Sequence, residues 1–514
     1  MEKEDFSQGD LNRLRNTNFP KSKKMSLSIS SFNKGLSLKY DKNLSNIEYA
    51  SEIENFSFDS GALTDGIGFD NVFNNIAKPT EIQTLSSDLQ NIGNIEKIIY
   101  FYKFNSKTQT RQDKLLFISS NFEVYFVNLY DTQKQLSKLR NVKFTSSPVA
   151  ISYRLNGEDV IIFSSETDNM TVWDGEKNPY EVLDSPHISS MTVHFERLFA
   201  TVDGEKDSIW FSDELDPTEW SISLDEAGFI EMIDERGALL KVVSFLDYVY
   251  IFREFGISKL SAFGNQSTFS CSNLYVSSGR INPESVCVCG DKILFLASDG
   301  IYKFDGVDTV KILTNIEDGF KGLNNNNAVA CFSGSSYFLA CNFLSESKYL
   351  NTLLEIDTTS FSLKNIVKGY DFKFICAIKS TNFEGVFTIV KESSKNAFLP
   401  ATIVKNGKYF GIPTKKVWYS QISNIGDSFC EKVLKNIYVQ TSTPIKIVVS
   451  SNEKEHEFNF LPSNTFCMKH CLIPVSDFSF KIVCNNSSCN IKNLKFDFYK
   501  LWRNTLWTME KVPI

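Results

Sequence analysis

Proline is scarce in this chain, with 13 residues in 514, while phenylalanine reaches 44 and tyrosine 19. A composition so poor in proline and so rich in aromatic side chains excludes a proline-rich linker or a disordered protein. Histidine is scarcer still: His187, His194, His456 and His470 are the only four. They form two distant pairs, and neither pair has the spacing of a zinc protease or of a nucleophile with its base. No P-loop and no dinucleotide fingerprint occurs, which removes the common nucleotide-binding classes. No run of about 18 apolar residues exists, so no membrane-spanning helix is expected. The opening MEKEDFSQGDLNRLR lacks the apolar stretch of a signal peptide, and a protein that is not exported is expected. An excess of basic residues is missing as well. The formal charge is −7, so the chain as a whole is not a nucleic-acid glue, although a local basic patch is compatible with that total. Eleven cysteines follow no regular framework, and reduced thiols are the expectation.

What the chain has in abundance is one recurring phrase. DKILFLASDGIYKFDG, Asp291 to Gly306, reads as an apolar run, a Ser298-Asp299-Gly300 turn, an alternating run, and a second turn at Asp305-Gly306. That is a hairpin with a buried first strand and a half-buried second one. Related phrases start at Asp113, Asp159, Arg197, Asp247 and Ser336, and a last one, GVFTIV, spans Gly385 to Val390. The starts lie roughly 38 to 50 residues apart, near the period of a four-stranded propeller blade. Further strand-like runs, such as Val149 to Tyr153, Leu240 to Phe245 and Val286 to Cys289, supply the other strands of each blade. A single blade cannot bury both of its faces; blades stacked in a ring can. The expected fold is all-β: a propeller of about six or seven blades followed by a β-sandwich. The alternative is an irregular sandwich in which the hairpins recur by chance.

In chain order, residues 1–26 are polar and charged and read as a flexible arm, or as one that orders against a partner. Residues 27–93 are lead-in strands that join or close the propeller. Residues 94–405 are the propeller. After Lys405 the pattern changes to alternating strands at Ile437, Val439, Ile445, Ile447 and Val449, so residues 406–514 read as a sandwich and tail. Trp502 and Trp507 read as packing residues of that tail.

Several phrases carry a resemblance. Lys34-Gly35-Leu36, then Ala50 with Ile53 to Phe58, then Ser60-Gly61-Ala62-Leu63 followed by Gly66 and Gly68, resemble the opening of β-propeller proteins from phage head–tail junctions and tail nozzles, of the packaged-DNA stabilisation and tail tubular types. That family's usual arginine in the last phrase is absent; Thr64-Asp65 follow Leu63 instead. Ile209-Trp210-Phe211-Ser212 through Asp216-Pro217 to Trp220 is similar to the family's Trp-Ser, Asp-Pro, Trp phrase, with Phe211 inserted. The resemblance implies a non-enzymatic structural protein of the virion, assembled in the host cytoplasm. It implies a homo-oligomeric ring that meets a portal, an adaptor or other tail proteins. Double-stranded DNA would pass through that ring without sequence-specific binding, and no cofactor is implied.

The acidic loop Asp213, Glu214, Asp216, Glu219 and Trp220 is the expected interaction loop. Its two tryptophans are placed to pack across it, and its carboxylates lack the ordered spacing of a metal site. Cys467, His470, Cys471, Cys484 and Cys489 approach zinc-ligand spacings but fall within strand patterns, where buried thiols are the plainer reading. Cys484 and Cys489 flank Asn-Asn-Ser-Ser, a hairpin tip that would bring the sulfurs together. No catalytic residue is expected. Two alternatives remain: a propeller adhesin that binds a surface glycan or protein, and a glycan hydrolase with carboxylates converging in the central channel. The sialidase box is absent, because Ser298-Asp299-Gly300 lacks its Asp and Trp offsets.

Overall fold

The structure is a computed structural model that describes residues 23–39, 47–74, 76–105, 108–222, 226–380, 384–425, 431–451 and 453–501. Its strands build seven four-stranded antiparallel blades. Blade 1 comprises Ile95–Phe101, Lys114–Ser119, Val124–Asn128 and Leu136–Lys138; blade 2 comprises Val149–Leu155, Glu158–Ser164, Met170–Trp173 and Tyr180–Val182. Blade 3 holds Ile188–His194, Arg197–Val202, Glu205–Phe211 and Gly228–Glu231; blade 4 holds Leu239–Phe245, Tyr248–Arg253, Gly256–Ser261 and Ser270–Val276. Blade 5 is Cys287–Val288, Ile293–Ala297, Gly300–Phe304 and Thr309–Ile312; blade 6 is Val329–Ser333, Ser336–Cys341, Thr352–Asp357 and Leu363–Val367. In the DGIYKFDG hairpin both strands are buried, the second at every position but Lys303.

Blade 7 closes the ring. The chain after Tyr370 supplies its first three strands, Tyr370–Lys379, Glu384–Glu392 and Leu399–Val404. Its fourth comes from the lead-in segment, Gly68–Asn71, with Thr402 opposite Asp70. The ring is thus tied by strand pairing between distant parts of the chain, which leaves no blade with a missing outer strand. Each blade boundary has its own apolar core. Phe101, Leu116 and Trp173 fill the junction of blades 1 and 2, Ile162, Leu198 and Trp220 that of blades 2 and 3, and Phe252, Phe295 and Phe304 that of blades 4 and 5. Ile98 and Phe117 of blade 1 meet Phe387 and Ile389 of blade 7.

The lead-in segment divides between the two domains. Strands Lys23–Ile29, Ala50–Glu54, Phe56–Ser57 and Leu63–Asp65 belong to the sandwich, and only Gly68–Asn71 joins the propeller. Strand Lys23–Ile29 overlaps the end of the expected arm, because Met25, Leu27 and Ile29 alternate and pair with Phe498, Phe496 and Leu494. Residues 1–22 lie outside the described residues, as do Trp502 and Trp507. One sandwich sheet contains Glu431–Thr441, Ser463–Val475 and Asn490–Leu501; the other contains Lys416–Ser420, Ile445–Ser451, Lys454–Phe460 and Phe478–Cys484. Phe56–Ser57 bridges the first of these to the last strand of blade 6, so one sheet runs from blade into sandwich. A single core joins Leu294, Tyr337 and Ile356 of blades 5 and 6 to Trp418, Phe480 and Phe496.

A helix, α1 (Pro79–Ile92), connects Gly68–Asn71 to blade 1. The sequence reading passed over it. Its signals are Pro79 at the first position, Glu81 accepting from the Lys78 amide at 3.0 Å, and apolar residues at Ile82, Leu85, Leu89 and Ile92. Leu85 and Leu89 are buried against blades 1 and 7.

Candidate interaction surface

The expected interaction loop, residues 212–227, joins the third and fourth strands of blade 3. The Asp213 amide donates to the Glu219 carbonyl at 3.0 Å and closes the loop. Pro217 fixes the turn, and Asp216 accepts from the Thr218 amide at 2.9 Å and its hydroxyl at 2.6 Å. Asp213 accepts from the Glu214 amide at 2.6 Å, and Glu219 from the Ser221 amide at 2.7 Å. Glu214 reaches Arg197 at 3.4 Å. Each carboxylate therefore holds a turn or an ion pair of its own loop. Among the described residues, no three His, Cys, Asp or Glu side chains form a group able to hold a metal. Trp220 is buried in the core between blades 2 and 3, its Nε1 donating to the Pro217 carbonyl at 3.0 Å. Trp210 does not stack across the loop. It lies on Phe229 with ring centres 5.2 Å apart, because its strand partner sits directly opposite.

Arg197 is the hub that the sequence reading missed. It is almost wholly buried and binds the Glu226 carboxylate at 2.7 Å, the Glu226 carbonyl at 2.9 Å and the Ser212 carbonyl at 3.1 Å. Its only sequence signal is a charge at the head of the otherwise apolar strand RLFATV. A buried guanidinium with that many acceptors fixes both ends of the loop.

The outward part of this region is apolar. Leu215, at the loop tip, is 58% exposed with φ of 63°, and its amide donates to the Glu196 carbonyl at 3.2 Å. Next to it, the tight turn between the first two strands of blade 3 holds Phe195 at φ 43° and Glu196 at φ 66°. Phe195 packs edge-on against Phe263 of blade 4, which is 75% exposed. The matching turn of blade 4 holds Leu246 at φ 53°, also exposed. In blade 2 the same turn is Asn156-Gly157, the cheap choice for this geometry. A bulky apolar residue in the left-handed region costs about 1–2 kcal/mol. Folding alone does not call for Phe195 and Leu246 there, and burial returns only part of that cost, Phe195 being about half exposed and Leu246 more so. A cleft of about 660 Å³ opens beside them, lined by Tyr102, Tyr153, Arg154, Val193, Glu196 and Leu215.

The opposite face carries the mouth of the central channel, a cavity of about 470 Å³. The first strands of blades 1, 3, 4 and 7 each bulge near their start, between Ile95 and Lys97, Ile188 and Ser190, Leu239 and Lys241, and Phe372 and Phe374. The bulges of blades 1 and 7 place Glu96 and Lys373 in an ion pair. Lys241 meets Glu284 at 3.0 Å, and the Lys241 charge draws the Glu284 carboxyl below its ordinary value. Lys97 donates to the Pro148 carbonyl at 3.0 Å, and burial pushes its ammonium down. Two lysine–glutamate pairs, Lys373 with Glu96 and Lys241 with Glu284, thus stand in this region.

Of the histidines, His194 is buried and shares a 2.9 Å hydrogen bond with Ser244; burial lowers its pKa. His470 bonds Asn436 at 2.9 Å on the sandwich surface.

No family profile matches this chain, and no curated protein does. Solved structures with similar folds are β-propellers. The β-propeller domain of Cps50 (Swd1) from "Myceliophteria thermophila" aligns with a TM-score of 0.40 at 13% identity, over 61% of this chain and 96% of that one. BBS1N, solved in complex with ARL6DN, aligns with a TM-score of 0.35 at 10% identity, over 57% and 86%. Raptor from Chaetomium thermophilum aligns with a TM-score of 0.32 at 12% identity, over 48% of this chain and 23% of that one.

Proposed function

We propose that this chain is a non-enzymatic structural protein of a phage particle, one subunit of a ring around the DNA exit channel at the head–tail junction or tail. The observation that carries this reading is the exposed apolar rim of Phe195, Leu246, Leu215 and Phe263, built partly in strained turns. Such a rim suits a protein contact, because a permanent partner recovers by burial what the turns cost. Copies packed side by side through unlike surfaces close into a ring. The propeller and sandwich share strands and one core, which suits a block that transmits load without hinging. The acidic total lets DNA pass rather than adhere, since strong binding requires phosphates to be neutralised. The resemblance in the phrases around Gly35, Leu63 and Trp220 points the same way.

A hydrolase would keep one channel carboxyl protonated near neutral pH. Glu284 is instead pulled toward ionisation by Lys241, which favours the scaffold reading. The test is the solution mass of the purified chain by light scattering, alone and with its candidate portal. A ring, or incorporation into a ring on the portal, is expected. A monomer or trimer that ignores the portal would overturn the assignment.

A further inference from the structure

The sandwich contains a paired-thiol site at one of the short tips that join its two sheets. Cys484 ends strand Phe478–Cys484 of one sheet, and Cys489 immediately precedes strand Asn490–Leu501 of the other. Both side chains are buried, while Asn485, Asn486 and Ser488 between them are exposed. The tip is pinned. Lys416, with a fully buried side chain, donates to the Asn486 carbonyl at 2.7 Å. Asp65 accepts from the amides of Ser488 at 2.5 Å and Cys489 at 3.3 Å, and pairs with Lys416 at 3.1 Å. Gly407 makes room for this pair: a Cβ there would lie 2.9 Å from Lys416 Cε and 3.1 Å from Asp65 Oδ1. With the tip held, the two side chains lie close enough for each thiol to set the other's ionisation.

The site lies beside an open cavity. Cys484 Sγ lies 3.6 Å from the Asn486 carbonyl and 4.0 Å from that of Pro444. Both residues line an open cavity of about 610 Å³ with Lys415, Lys446 and Val483. The Cys489 thiol, the Asn486 backbone, Thr443 and the Lys416 charge together draw the Cys484 thiol below its ordinary value, while Cys489 is pushed up. Cys484, the sulfur beside the Asn486 and Pro444 carbonyls, is placed as nucleophile and Cys489 as resolving thiol.

We propose that Cys484 and Cys489 are an oxidation site that closes to a disulfide and staples the two sheets of the sandwich when the protein meets a peroxide. The Cys484 thiolate attacks one peroxide oxygen, the O–O bond breaks, and the released hydroxide leaves as water after taking a proton. The Cys484 sulfenic acid is then attacked by the Cys489 sulfur. The S–O bond breaks, the S–S bond forms, and the Cys489 proton departs with the hydroxide as a second water. Hydrogen peroxide accepts the two electrons. This site does not depend on what the propeller assembles with, so its failure would leave the ring assignment untouched.

The full chain should be exposed to graded hydrogen peroxide, alkylated and mapped by mass spectrometry. The expected result is the loss of two alkylatable thiols and of two hydrogens at Cys484 and Cys489, before Cys467 or Cys471 changes. In Cys489→Ser the reaction should stop at a Cys484 sulfenic acid that a cyclic 1,3-diketone traps. Oxidation should raise the melting temperature of the wild-type chain but not of Cys484→Ser. A wild-type peptide map in which Cys484 and Cys489 stay separately alkylatable while other cysteines oxidise would overturn the proposal, even if a serine variant fails to fold.

Discussion

Asp65 and Lys416 form a buried ion pair at 3.1 Å that ties the N-terminal segment to the first strand of the C-terminal sandwich. The lysine side chain is fully buried and the aspartate nearly so. Replacing Asp65 by Asn leaves a buried ammonium without its countercharge, which costs roughly 3–5 kcal/mol. Urea denaturation should show a lower midpoint with an unchanged slope. A midpoint equal to wild type would mean that the pair contributes nothing to stability.

Trp220 gives a contrasting prediction. It was expected at an interaction surface, yet it fills the core between blades 2 and 3. Trp220→Ala should cost roughly 3–5 kcal/mol. Leu215→Asp, five residues away at the exposed tip, should leave the melting temperature within a degree or two of wild type, since exposed substitutions cost about 0.5 kcal/mol or less. A calorimetric scan of both variants separates the packing residue from the surface residue.

The repeated hairpin made the propeller legible, because period-two apolar runs and Asp-Gly turns are local signals. The share of the lead-in segment in each domain was not. Strand Gly68–Asn71 is only four residues long, and its pairing with Leu399–Val404 spans most of the chain. Helix α1 carried local signals, Pro79, Glu81 and the Leu85–Leu89 stripe, that the surrounding strand pattern obscured. In the candidate surface, the Asp213 to Trp220 phrase marked this loop but not its outward residues. Phe195 and Leu246 read as ordinary apolar letters, and only their positive φ and exposure set them apart. Arg197 is one charge in an apolar strand, and its acceptors are backbone carbonyls and a distant glutamate that no spacing rule connects.

Asp357 predicts a pH dependence. Burial opposes its ionisation, but Lys364 at 2.6 Å and the amides of Ser360 and Thr359 outweigh that and hold the carboxyl at about 2. An unfolded aspartate titrates near 3.9. The folded state therefore gains stability above pH ~4, roughly 2 kcal/mol, and loses it as pH falls from about 4 toward 2. Asp357→Asn should flatten that part of the stability curve. Melting temperatures of both proteins between pH 2 and 5 would expose an error in sign or size.

Closure of blade 7 by Gly68–Asn71 predicts what removal of the N-terminal segment does. A variant lacking residues 1–71 loses the outer strand of blade 7 and the sandwich strands Lys23–Ile29, Ala50–Glu54, Phe56–Ser57 and Leu63–Asp65. It would expose the edge of Leu399–Val404 and the apolar surface that Phe56, Phe58 and Phe69 now fill. Unpaired edges and open cores promote aggregation. Size exclusion should find this variant in the void volume, and circular dichroism should show no cooperative melt. Supplying residues 23–74 as a separate chain during refolding should restore a soluble species, since the strands pair without needing the covalent link. A truncated protein that melts like the intact one would show that the ring closes without its N-terminal strand.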